Sequence, residues 1–294
     1  RSSDLKTQAS CLRFVFRGSE MLKFSVLVDD DVHLPGCLPE RGLALLLECD
    51  GLRVLFDSGR GRALCHNAAV MGIDLASLTH VVLSHGHCDH VGGVGSLPAY
   101  PRPIPLIACP DVFCERGYFL SLPFWRRNLY RLSGALAWES LPARGLLPHC
   151  SSEPMWLSDR LVFLGSIVRR DRAAPSLLGY IVRGGRVEKD LISDDSALAY
   201  KSEQGLIVFI GCGHAGVENI IEWAKEVCGD ERIHAVIGGL HLKFSGPERA
   251  VALGAYLQEE AVERLFACHC TGSRKAGLPR QHQIGAGFEH SFSA

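Results

Sequence analysis

The 294-residue sequence predicts a layered α/β sandwich. Short apolar runs of strand length recur in two halves of the chain, and in the second half they alternate with helical patterns. Halves of this kind bury their apolar faces as stacked sheets with outer helices more readily than as one doubly wound sheet. At roughly 150 residues per domain the length alone gives a soft expectation of about two domains.

Taken in order, residues 1–20 carry little periodic apolar pattern and read as a leader or loosely held arm. Residues 22–28 form a convincing strand, followed by short apolar runs at 43–47 and 54–56 that are close enough to pair. A short helix is expected at 74–78, a buried strand at 81–83 and another at 106–108. The stretch 110–154 differs, with Phe113, Tyr118, Phe119, Phe124, Trp125, Tyr130 and Trp138 interrupted by Pro and Arg. It reads as helical cap or insertion packing, with a substrate-facing lid as the alternative. Strands follow at 161–163, 178–182, 197–200 and 206–210. A helix at 219–227, a strand at 235–237, a helix opened by Pro at 247–259 and a strand at 264–267 complete the series.

Composition narrows the class. Lys+Arg 31 against Asp+Glu 32 leaves a net charge of −1, which argues against a general nucleic-acid footprint, so no nucleic-acid partner is expected. No apolar run approaches the roughly 18 residues of a membrane span, so no membrane partner is expected either. The 12 cysteines are many, but the chain is long enough to fold without staples and shows no secretory n- and h-region. A reduced, cytoplasmic protein is the expectation. With no CxxC pair, a cysteine-only zinc site is not expected.

The chemistry concentrates in Leu83-Ser84-His85-Gly86-His87-Cys88-Asp89-His90-Val91-Gly92-Gly93. Directly after an apolar strand, alternate residues such as His85 and His87 can converge on one ion, while Asp89 and His90 turn toward a second. Imidazole with carboxylate suits Zn²⁺, and also Fe or Mn. The segment His85-Gly86-His87-Cys88-Asp89-His90 resembles the HxHxDH signature of the metallo-β-lactamase superfamily. That resemblance implies a four-layer αββα sandwich with one or two metal ions at one edge of the sheets, and turns the two expected domains into halves of one domain over 21–294.

Further segments resemble a branch of that superfamily, the dihydropterin-ribofuranosylaminobenzene-phosphate synthase-like metal-dependent hydrolases. Phe56-Asp57-Ser58-Gly59 resembles its FDTG strand end, where the Asp supports the metal loop. The run from Gly211-Cys212-Gly213-His214 to Asn219 resembles GCSHAGxxN. Ser193 to Leu198 resembles DDxAL, Gly238-Gly239-Leu240-His241-Leu242 resembles GGFHL, and His269-Cys270-Thr271-Gly272 resembles HCTG. The likeness spans about 24–272 and is weakest over 110–154.

The resemblance implies His85, His87 and His214 on a first metal and Asp89, His90 and His241 on a second. Many superfamily members place a bridging aspartate where this chain has Cys212, and Asp195 is a candidate for the missing carboxylate, or else a turn residue. His269 is a further ligand or a proton donor. Cys268 and Cys270 are expected on the opposite face of the last strand. The chemistry implied is hydrolysis by a metal-activated water, with Asp89 and His269 catalytic; Arg169, Arg170 and Lys243 are the available cations to steady developing charge, though each reads first as a solvated surface charge. The expected substrate is a small phosphoester, phosphodiester or related ester. The alternatives are the branch's pterin-related synthase, or an iron-binding redox protein on the same fold. For assembly, a homodimer is kept open.

Overall fold

The computed structural model describes residues 21–122, 125–131, 138–170 and 179–293. The expected arm at 1–20 lies outside the described residues.

Among the described residues, seventeen strands form three sheets. The first half supplies β1 (Met21–Val28), β2 (Ala44–Cys49), β3 (Leu52–Phe56), β4 (His80–Val82), β5 (Ile104–Ala108), β6 (Glu115–Leu122), β7 (Trp125–Arg131), β8 (Leu146–Cys150) and β9 (Met155–Trp156). The second supplies β10 (Leu161–Phe163), β11 (Gly179–Arg183), β12 (Arg186–Asp190), β13 (Ala197–Ser202), β14 (Gly205–Ile210), β15 (Ile233–Gly239), β16 (Arg264–Cys268) and β17 (Glu289–Ser293). The helices are α1 (Leu64–Val70), α2 (Cys88–Val91), α3 (Val217–Cys228) and α4 (Pro247–Glu259). The first sheet has the order β17-β1-β2-β3-β4-β5-β8 and the second β16-β15-β14-β13-β10-β9.

The layering follows from side-chain alternation. On β14, Ile207 and Phe209 point into the core between the sheets, where Phe209 and Phe266 lie 6.0 and 5.4 Å from Phe24 of β1. Leu206, Val208 and Ile210 point the other way, onto Ile220 and Ile221 of α3 and Leu253 and Leu257 of α4. β14 is therefore apolar at every position, as a strand covered on both faces must be. Helix α1 covers the first sheet through Leu64 and Ala68. The result is the expected αββα sandwich. Among the described residues no helix is long and apolar enough to cross a membrane.

The sequence-based elements hold at most positions, α4 matching its expected limits; β8, β9, β12 and the short α2 had no expected counterpart, and four further departures have a physical reason. The expected helix at 74–78 is a single 3₁₀ turn, Leu75–Ser77, capped by Asp74, whose carboxylate accepts the Ala76 N–H at 2.9 Å. Three residues with one cap are too few to nucleate an α-helix. The aromatic stretch is not a helical cap: β6 and β7 form an antiparallel hairpin that joins β11 and β12 in the third sheet, ordered β12-β11-β6-β7. The side chains at 118–138 lie outside the described residues, and with them the question of a lid. Helix α1 has no side-chain N-cap and no acidic first turn, so nothing in the sequence announces it. Strand β17, which pairs with β1, also escaped the pattern because its alternation is mostly exposed.

Candidate metal centre

The functional residues sit where strands end on one edge of the sandwich. This is the usual ligand side of α/β sheets, because chain leaving a buried strand is held by its ladder yet free to turn. Asp29 and Asp30 follow β1, Asp57 follows β3, His85 and His87 follow β4, Cys212 and His214 follow β14, His241 follows β15 and His269 follows β16. Asp57, His241 and His269 take left-handed backbone conformations (φ 60°, 50° and 48°). A non-glycine residue adopts that region at a cost, and such strain gathers at sites that need a side chain aimed against the strand direction. Gly93 closes the motif because a Cβ there would lie 1.9 Å from the Ser58 carbonyl oxygen.

The imidazoles converge. Ring centroids are 4.6 Å apart for His85–His87, 4.2 Å for His85–His90, 4.7 Å for His85–His214 and 4.9 Å for His87–His214. His241 lies 4.4 Å from His214, and His269 lies 5.1 Å from His90. Several of these rings are held by their far nitrogen. Ser84 Oγ lies 2.9 Å from His85 Nδ1, Asp57 accepts from His90 Nδ1 at 2.6 Å, and Asp30 accepts from His269 Nδ1 at 2.8 Å. A carboxylate behind an imidazole fixes its tautomer and leaves Nε2 to face the centre, as in metal-ligating histidines. Asp57 also accepts the Ser84 N–H and hydroxyl at 2.8 and 2.7 Å, which ties the metal loop to β3.

Cys212 is central. Its Sγ lies 3.1 Å from His90 Nε2, and it belongs to each of three groups whose ligand atoms all fall within 4.8 Å of one another: His85–Cys212–His214, His90–Cys212–His269 and Cys212–His241–Cys270. His87 and Asp89 lie just outside these groups. His87 Nδ1 is 3.0 Å from His85 Nε2, and Asp89 Oδ2 is 4.0 Å from His269 Nε2.

The charge states follow from burial and neighbours. Burial, reinforced by the positive charge of neighbouring groups including Arg116, holds His85 and His214 well below the ordinary histidine value, and His87 falls to about 3. These rings are neutral at pH 7, with lone pairs available. Burial would raise Asp89, but His90, His269 and His87 outweigh it and hold the carboxyl at about 2. For His269 burial acts downward, and the Asp30 hydrogen bond with nearby Cys270 and Asp89 overrides it, lifting the ring to about 9.

The residues fit a bound divalent cation. His87 Nε2, His214 Nδ1 and Nε2, His241 Nδ1 and His269 Nε2 are buried with no hydrogen-bond partner. Burying a polar nitrogen unpaired costs about 1–3 kcal/mol, so a cluster of such atoms in one place calls for a shared occupant.

The structure sorts the expected residues further. His269 lies against His90 and Asp89, while His241 packs against His214 and falls with Cys212 and Cys270. Arg169 donates to the Leu191 and Ile192 carbonyls and Arg170 pairs with Glu226, so neither lines the cavity. Lys243 does, beside Asp30 at 3.1 Å. Asp195 ends a turn and is buried; its Oδ2 accepts the Ala215 N–H at 2.7 Å, which holds the His214 segment, and it joins none of the three ligand groups. Burial lifts its carboxyl to about 7. Cys270 faces the centre instead of the opposite side. Sequence reasoning missed Asp29 and Asp30, which had no neighbouring motif, and Arg41, Arg60 and Phe244, which line the cavity of about 300 Å³.

Comparison with known proteins agrees with this geometry. The sequence profile of the metallo-beta-lactamase superfamily matches residues 38–170. A 7,8-dihydropterin-6-methyl-4-(beta-D-ribofuranosyl)-aminobenzene-5'-phosphate synthase from Methanocaldococcus jannaschii is 29% identical over 255 residues, covering 81% of this chain and 83% of its own. A crystal structure of a metal-dependent hydrolase of the beta-lactamase superfamily superposes with a TM-score of 0.79 at 26% identity, over 93% of this chain and 100% of that one. The Zn²⁺-bound PqqB of Methylobacterium extorquens shares the fold at a TM-score of 0.54 and 11% identity, over 91% and 99% of the two chains.

Proposed function

We propose that this chain is a metal-dependent hydrolase of the metallo-beta-lactamase superfamily that attacks a small phosphoester, phosphodiester or related ester with an activated water. The observation that carries the reading is the convergence of imidazoles with buried, unpartnered nitrogens, His87 and His214 held neutral among them, on the floor of one cavity.

His85, His87 and His214 would hold one zinc ion, and Asp89, His90 and His241 a second, with Cys212 between them and His269 at the second side. Manganese and iron suit the nitrogen and carboxylate donors as well. When bound, such a cation lowers the pKa of water from about 15.7 toward roughly 7 and polarises the substrate oxygen. The chain's own groups do the rest. Asp89, ionised and at the cavity wall, orients the attacking water and takes its proton. His269, aimed by Asp30, presents Nε2 4.0 Å from Asp89 Oδ2 and passes a proton to the leaving oxygen. Arg41, Arg60 and Lys243 line the same cavity and give an anionic substrate its attraction, while Phe244, 69% exposed at the mouth, offers a ring face.

The second reading, a pterin-related synthase, is favoured by one observation, the relative from Methanocaldococcus jannaschii that bears that name. The two are separated by turnover. Zinc-loaded protein is expected to hydrolyse bis(p-nitrophenyl) phosphate, to lose that activity on dialysis against a chelator and to regain it with added zinc. Failure of the zinc-loaded protein to turn over any of a panel of phosphomonoesters, phosphodiesters and lactones would overturn the hydrolase reading.

A further inference from the structure

Strand β16 stops at Cys268, whose side chain is fully buried in the core between the sheets. A continued strand would send Cys270 the same way. Instead His269 turns with φ 48° and a 3₁₀ segment begins, so that His269 and Cys270 both line the cavity. The next strand makes room for the thiol: a Cβ on Gly239 of β15 would lie 2.6 Å from Cys270 Sγ. The sulfur is also aimed. It accepts the His241 backbone N–H at 3.3 Å and gives its own proton to the Cys212 carbonyl oxygen at 3.6 Å. Its Sγ, the Cys212 Sγ and a His241 ring nitrogen all lie within 4.8 Å of one another, and the unpartnered His214 ring is packed against His241.

We infer that Cys270 joins Cys212 as a sulfur donor, making this a mixed nitrogen–sulfur metal centre that selects a borderline or soft cation such as zinc. The inference rests on the metal-dependent reading above and names a ligand that reading lacks. On ligation the thiol proton, shared until then with the Cys212 carbonyl, is released to solvent through the open cavity. The His241 N–H stays in place and stabilises the thiolate, because a hydrogen bond to a charged acceptor is stronger than one to a neutral acceptor. Two thiolates favour zinc over manganese or magnesium, which prefer oxygen donors.

X-ray absorption at the zinc edge on the full zinc-loaded chain tests this. The wild type is expected to show a sulfur shell at about 2.3 Å beside nitrogen at about 2.0–2.1 Å. Cys270→Ser is expected to lose about a third to a half of the sulfur amplitude, according to whether Cys212 meets two ions or one, and the Cys212→Ser/Cys270→Ser double variant all of it. A wild-type spectrum without sulfur, which requires no variant to fold, overturns the inference while leaving the hydrolase reading standing. So does a Cys270→Ser sulfur shell as strong as that of the wild type. Zinc content is measured on the same samples, and a chain that takes up no zinc would overturn both.

Discussion

His87→Ala is expected to lower hydrolysis of an activated phosphodiester by at least about 10³-fold, the rate equivalent of removing several kcal/mol of metal-dependent stabilisation. The fold is expected to survive. His87 Nε2 has no hydrogen-bond partner to lose, and the only ring bond removed is the 3.0 Å contact of Nδ1 with Nε2 of His85, a ring that Ser84 still holds from its other side. The loop keeps its anchors through Asp57 to Ser84 and Asp194 to Gly86. Thermal melting of the metal-free variant should therefore stay within a few degrees of the wild type. Turnover unchanged from wild type would remove His87 from the site.

The second large effect concerns stability. Arg116 of β6 is fully buried, and its guanidinium grips Asp194 through two bonds of 3.0 and 2.9 Å while Asp190 lies 3.5 Å away. Asp194 also accepts the Gly86 N–H at 2.8 Å, so this ion pair reaches into the metal loop from the third sheet. Arg116→Met leaves the Asp194 and Asp190 carboxylates buried without a counter-ion. Breaking such a pair costs about 3–5 kcal/mol. For a chain of this size that corresponds to a fall in melting temperature of very roughly 6–20 °C. Scanning calorimetry checks it, and a melting temperature within 2 °C or so of the wild type would show the pair is not needed. Arg116→Met combined with Asp194→Leu should recover part of the loss, because no lone charge at 194 then remains buried.

How much of this was legible depended on distance along the chain. The candidate ligands from His85 to His90 lie within six positions, and a local spacing can be read locally. His214, His241 and His269 were legible because each follows a strong apolar strand. The strands themselves were visible because β14 and β15 are buried on both faces, β14 being apolar throughout and β15 apolar except at His234. Pairings made by the fold were not. Asp30 meets His269 across 239 residues and Arg116 meets Asp194 across 78, with no sequence pattern joining them. Cys270 was misplaced for a different reason. Period-2 reasoning assumes the strand continues, and the left-handed turn at His269 ends it one residue too early. The aromatic hairpin failed likewise, since interrupted aromatic runs have no period that separates an inserted strand pair from a helical cap.

The most direct test is the metal content of protein purified without added metal, measured by elemental mass spectrometry on the full chain. A centre built from this many convergent imidazoles around Cys212 predicts about two zinc ions per chain, with the content falling in His87→Ala. A chain that carries less than about 0.1 metal per molecule, and takes up none on dialysis against zinc, would contradict the account at its centre.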